Sequence, residues 1–173
     1  PYAVCERCCM PWVDMRKELI DHQLPLFSLE SHTPLKDFDI VGFTLQYEMS
    51  YTNILDMLHL GGIPVKAADR SETDPIVVAG GPCAFNPEPL HAFIDAFMIG
   101  DGEELIVEVT DTIRQARKAG VAREEILRRL AKLEGVYVPS LYTDTYNEDG
   151  TLHSLTPVDA TVPAVINKRI QVN

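Results

Sequence analysis

Ile76-Val77-Val78-Ala79-Gly80-Gly81-Pro82 is the stretch that decides the architecture. Four small or β-branched apolar residues in a row predict a strand buried on both faces, as in a parallel sheet covered by helices. The strand ends at two glycines, which let another group approach the backbone, and a proline, which fixes the exit direction. Downstream, Asp95 to Ile99 repeats the pattern and ends in Gly100-Asp101-Gly102-Glu103 before a helix. Upstream, Asp39 to Phe43 runs into Thr44-Leu45-Gln46-Tyr47-Glu48 and again into a helix. Three strand-to-helix turns in one open α/β sheet share its carboxyl edge, where such sheets bind ligands. The candidate site is therefore Thr44, Leu45, Gln46, Tyr47, Glu48 and Tyr51 with Gly80, Gly81, Pro82, Gly100, Asp101, Gly102 and Glu103.

The flanking segments support strand and helix in alternation. Residues 2–8 read as a short strand, and Pro11 opens a helix through about His22. Leu26 to Leu29 reads as another short strand, and Pro34 to Asp37 as a turn. Ser50 is a plausible N-cap for a helix through Leu60, with Gly61-Gly62 at its C-terminus and Pro64 beyond. Pro87-Glu88-Pro89 starts a short helix through about Phe93. A long helix follows at about 102–118 with the stripe Leu105, Val109, Ile113 and Ala116, and another at about 122–133. Val136 to Pro139 reads as a strand. Leu141 to Tyr146 and Thr151 to Leu155 form a hairpin about Asn147-Glu148-Asp149-Gly150. The remainder, from Pro157, reads as linker or an edge strand.

The chemistry of the turns has simple and functional readings side by side. Backbone N–H groups at a helix N-terminus favour anions, and Gly80-Gly81 and Gly100-x-Gly102 would let a phosphate or an amide approach; either pair also suits a turn alone. Glu103 caps its helix or accepts hydrogen bonds from a ligand. The polar run Thr44 to Asn53 packs many donors and acceptors at one strand end; alternatively, Tyr47 and Tyr51 pack on the core while Ser50 caps. No His-Glu-x-x-His or Gly-x-Ser-x-Gly pattern occurs, and no metal ligand or catalytic residue is assigned.

Bulk properties narrow the classes. The 173 residues are 46% hydrophobic and 24% charged, ordinary for a folded domain, with a net charge of −11 that disfavours nucleic-acid phosphate as main partner. No apolar run reaches the roughly 20 residues of a membrane span. Cys5, Cys8, Cys9 and Cys83 fit a reducing, cytoplasmic compartment; Cys5-x-x-Cys8 has no second ligand pair to close a zinc site. With Pro1 first, the chain reads as a piece of a longer one.

Taken together, Ser28-Leu29-Glu30, the run Asp39 to Leu55, Ala79-Gly80-Gly81-Pro82-Cys83-Ala84-Phe85-Asn86-Pro87-Glu88-Pro89 and Ile99-Gly100-Asp101-Gly102-Glu103-Glu104 resemble a known family. The chain is similar, over most of residues 5–142, to the amino-terminal region of cobalamin-domain-type radical S-adenosylmethionine (SAM) proteins, Fe–S oxidoreductases. The resemblance implies a Rossmann- or flavodoxin-like, mostly parallel α/β sheet over residues 1–139. A hairpin and linker at 140–173 would lead toward a radical SAM barrel of the same polypeptide. It implies cobalamin in this domain, and a [4Fe–4S] cluster with S-adenosylmethionine in the barrel. The cluster motif Cys-x-x-x-Cys-x-x-Cys is absent here, so this piece is expected to be catalytically silent. The cobalt-ligating Asp-x-His-x-x-Gly is also missing: Asp56, His59 and Gly62 imitate it one residue out of step, at a helix C-terminus.

Two functions remain open on these residues. The domain presents cobalamin or a substrate to the barrel, or it has lost cofactor binding and serves as a docking or substrate-gating module, with Gln46, Tyr47 and Phe85 filling the groove. A phosphate-binding receiver-like domain is a weaker third. The resemblance also implies a strand before Pro1, central in a 2-1-3-4-5 sheet between residues 2–8 and 39–45. The place it leaves is expected to be filled by the 158–172 tail, by another chain, as in a strand-swapped homodimer, or by rearrangement of the sheet.

Overall fold

The computed structural model describes residues 2–171. In chain order its main elements are α1 (Val13–Asp21), β1 (Ile40–Thr44), α2 (Tyr51–Leu60), β2 (Ile76–Gly80), β3 (Ala96–Met98), α3 (Gly102–Lys118), α4 (Arg123–Leu130), β4 (Val136–Tyr137), β5 (Tyr142–Tyr146) and β6 (Leu152–Pro157). The first four strands form one sheet in the order β1-β2-β3-β4, and β5 and β6 form a separate hairpin. The pairs β1–β2 and β2–β3 are parallel; β4 adds antiparallel to β3. The α/β class and the C-terminal hairpin are thus as expected.

β2 organises the core because its side chains alternate between two apolar layers. Val77 and Ala79 face one cluster, with Leu45, Ile54, Leu58 and Phe97. Ile76 and Val78 face the other, with Leu105, Val109, Ile113 and Leu130. A strand buried on both sides needs apolar residues at every position, which is why its sequence does not alternate. The α3 stripe Leu105, Val109, Ile113 and Ala116 is fully buried, as its 3.6-residue spacing requires.

Several local expectations are corrected. Residues 2–8 form no strand. Their backbone is held by the 28–31 loop: the Leu29 N–H donates to the Arg7 carbonyl at 2.8 Å, and the Arg7 N–H donates to the Glu30 carboxylate at 2.7 Å. Leu26 to Leu29 contributes only an isolated bridge between Phe27 and Pro34. The 87–93 segment tightens to a 3-10 turn at Glu88–Leu90, since prolines 87 and 89 remove two donors. Ser50 precedes α2 without capping it; its hydroxyl donates back to the Tyr47 carbonyl at 2.8 Å.

The C-terminal segment is anchored to the sheet by one isolated bridge. Arg169 pairs in parallel with Gly100 beyond the end of β3. Among the described residues, the tail through Gln171 therefore does not lie beside β1, and β1 is the end strand of its sheet.

Candidate functional site

Thr44, Gly80 and Met98 stand in register across β1, β2 and β3, so the three turns leave one rim. Within that rim the turns differ in what they meet. The Leu45 N–H donates to the Gly80 carbonyl at 2.7 Å, and the Leu45 carbonyl accepts the Cys83 N–H at 3.0 Å. Gly81 has φ +104°, and a Cβ there would sit 3.0 Å from the Leu45 carbonyl oxygen. The glycine is needed because the first turn lies directly on the second.

Gly100, φ +106°, makes the same concession to a different neighbour. A Cβ at this position would fall on the Arg169 backbone. The Arg169 N–H donates to the Ile99 carbonyl at 2.8 Å, and the Asp101 N–H donates to the Arg169 carbonyl at 3.0 Å. The Arg169 guanidinium spans Glu108 at 2.6 Å and Glu104 at 3.5 Å, and the Gln171 N–H donates to the Asp101 carboxylate at 2.8 Å. Gly135, φ +86°, receives the same segment: a Cβ there would be 2.8 Å from the Ile99 carbonyl oxygen and 2.9 Å from Arg169 Cβ. Residues 168–171 thus form a strap seated across the third turn.

The structure brings Gly81, Pro82, Gly100 and Asp101 into one cavity of about 480 Å³, closed in part by Phe85 and by Lys168 to Ile170. Thr44 instead lines a second cavity beside β1. Leu45 is buried beneath the rim, whereas Gln46, Tyr47 and Glu48 are exposed. Tyr51 is half-buried, with its phenol held above the ordinary value chiefly by burial. Glu103 is exposed, and its carboxylate makes no hydrogen bond among the described residues. Asp101, Glu103 and Glu104 crowd the start of α3, so that N-terminus repels an anion despite its dipole. An amide, hydroxyl or cation fits there better than a phosphate.

Sequence reading did not find Lys168, Arg169 and Ile170 at this rim. The available signal was indirect: Glu104 and Glu108 are one turn apart on α3, a paired acidic face suited to a cation.

The resemblance implies cobalamin in this domain and places the [4Fe–4S] cluster outside it. Cobalamin fits poorly, because the close approaches at Gly81 and Gly100 are occupied by Leu45 and Arg169. Burial pushes the Cys8 thiol up to about 11, so it is protonated at neutral pH. Among the described residues no group of three His, Cys, Asp or Glu side chains converges as a metal site. No helix there is long and apolar enough to cross a membrane.

An open-sheet α/β domain with its turns gathered at a single rim belongs to the class that presents a ligand or a surface at the carboxyl edge. The chain belongs to a defined family within that class: the model for radical SAM proteins, N-terminal, matches residues 1–139. It is 29% identical over 129 residues to the uncharacterized protein MJ0966 of Methanocaldococcus jannaschii, a match covering 73% of this chain and 27% of that protein. The chain thus spans about a quarter of that relative's length. No solved structure matches it significantly.

Proposed function

We propose that this domain is the docking and substrate-gating part of a radical SAM protein, meeting the catalytic part of the same polypeptide with its carboxyl rim. One observation carries this reading: the rim offers exposed apolar side chains where a small-molecule site would be walled. Tyr47 (58% exposed) and Met49 (79%) lie on the first turn, Phe85 (60%) on the second and Ile170 (58%) on the strap, around Gly81 and Gly100, which backbone already covers. Large exposed apolar groups on one edge of a folded domain fit a protein surface. The [4Fe–4S] cluster and S-adenosylmethionine that the family implies belong to the catalytic part.

Cobalamin presentation is the second reading, favoured by the cavity shared by Gly81 and Gly100. Hydroxocobalamin titrated into the full-length protein separates the two. The docking reading expects no change in the visible spectrum at saturating cofactor. It also expects Tyr47→Asp with Phe85→Asp to raise amide exchange over residues 46–49 and 83–86 by about tenfold, by opening the joint. A saturable spectral shift, or exchange already fast in the unaltered protein, would reject it.

A further inference from the structure

A cavity at the amino edge of the sheet, opposite the rim, carries an inference independent of the docking reading. Three segments frame it. The loop before β2 supplies Lys66 and Ala67, the turn before β3 supplies His91, Ala92 and Ile94, and the chain leaving β4 supplies Pro139 and Ser140. The Ala67 N–H donates to the Ala92 carbonyl at 2.9 Å, which fixes the first two segments against each other. β4 runs antiparallel to β3, so its exit at Pro139 returns to the end where β3 begins. The enclosed space is about 400 Å³, the size of a small-molecule site, and its walls are mostly apolar.

Burial orders the polar groups along this cavity, with Asp95 at the floor and Lys66, His91 and Ser140 at the mouth. The three hydrogen bonds to the Asp95 carboxylate, from Arg70, Arg123 and the Val77 N–H, all fall on Oδ2. Oδ1 accepts none among the described residues, although the side chain is only 2% exposed. A buried acceptor left open is unfavourable until a donor reaches it. Two arginines already face this one carboxylate, so the floor carries surplus positive charge and repels a cation. At the mouth, Lys66 makes no ion pair and the Ser140 hydroxyl no hydrogen bond among the described residues. His91 donates its Nδ1–H to the Glu88 carbonyl at 2.7 Å.

We propose that the cavity binds a small molecule with three parts: an apolar body of ring size, a neutral hydroxyl or amide N–H donating to Asp95 Oδ1, and an anionic group beside Lys66. Water alone satisfies Oδ1 but leaves the apolar walls wet; a ligand with a body covers both. The donor is neutral because the arginines disfavour an ammonium group, and the anion is at the mouth because the unpaired cation is there.

The probe is 4-hydroxyphenylacetate, titrated into the full-length protein by calorimetry and located by amide hydrogen exchange. Saturable one-to-one binding is expected, slowing exchange over residues 66–68 and 91–94 about tenfold. Phenylacetate lacks the donor and should bind about tenfold more weakly, because it displaces water from Oδ1 without replacing its bond. The alcohol 4-hydroxyphenethyl alcohol lacks the charge and should bind about fivefold more weakly; with Lys66→Met it and the acid should bind alike. Ser140→Trp, a change at an exposed position, should plug the mouth and abolish binding without moving the urea midpoint. Absence of saturable binding overturns the proposal, as does protection elsewhere in the protein. Equal affinity for phenylacetate would mean that Asp95 Oδ1 takes no part, and undiminished binding to Ser140→Trp would place the ligand outside this cavity; either result also rejects it.

Discussion

Gly100 ties the strap to the rim, so a methyl group there is a switch with a readable output. Alanine would have to hold φ near +106° and would displace the Arg169 backbone. The left-handed conformation alone costs about 1–3 kcal/mol, and releasing the strap is the easier relaxation. Trypsin cuts after Lys168 and Arg169, so Gly100→Ala is expected to speed cleavage there about tenfold. Gly102→Ala is the control: its nearest neighbour is Met98 Cε at 4.0 Å, and it opens a helix that prefers alanine. Equal cleavage in the two variants would mean that Arg169 is held by its carboxylates alone. This pair also marks the limit of reading at a residue. A glycine after a strand announces that something comes close, and at Gly81 and Gly100 something does. Its identity depends on Leu45 and on Arg169, one of them nearly seventy positions away, and no local pattern encodes that.

At the scale of elements, legibility follows how much of the stabilising contact is local. α3 runs from Gly102 to Lys118, as its stripe and flanking glycines predict, because helical spacing is a property of the segment itself. β2 is equally plain, since four apolar residues in succession admit few other places. Residues 2–8 mislead: their apolar character is strand-like, but strand formation needs an edge, and the 28–31 loop holds them instead. The segment after β6 is also held from a distance. The Asp159 carboxylate accepts the Thr161 hydroxyl at 2.5 Å and the Arg128 guanidinium of α4 at 2.7 Å. These bonds, the Thr161 hydroxyl foremost, lower its pKa from 3.8 to about 2. A depressed folded-state value means the contribution is complete above the unfolded value near 3.8 and fades as pH falls toward 2. A carboxyl titration by NMR should therefore place the Asp159 midpoint about 2, and Thr161→Val should move it up toward the ordinary range. An unmoved midpoint would assign the shift to Arg128 instead.

Across the whole molecule, the two apolar layers are joined at one ionised hub. Asp95 immediately precedes β3, and its carboxylate accepts hydrogen bonds from Arg70 and Arg123 and from the Val77 N–H, each at 2.8 Å. The Arg70 and Arg123 side chains are 0% and 9% exposed and that of Asp95 2%, so none of the three charges is relieved by water. Burial pushes the Arg70 guanidinium down from its ordinary range, against the pull of Asp95. Each arginine also donates to carbonyls: Arg70 to those of Pro64, Val65 and Phe93, Arg123 to those of Asp74 and Pro75. One carboxylate thus connects the loop before β2, the backbone of β2 and the first turn of α4. Asp95→Asn keeps the shape but leaves two buried cations opposite a neutral amide, a change expected to cost about 3–5 kcal/mol. The urea midpoint should fall accordingly with its slope unchanged. Replacing all three, with Asp95→Leu, Arg70→Met and Arg123→Met, should recover most of that loss, because a filled apolar site needs no counter-charge. The hub sits at the amino end of β3, away from the rim, so exchange at residues 46–49 should be the same in both variants under native conditions. A loss below about 1 kcal/mol for Asp95→Asn would mean that the carbonyls alone satisfy the two arginines, and that the layers are joined by packing rather than by charge.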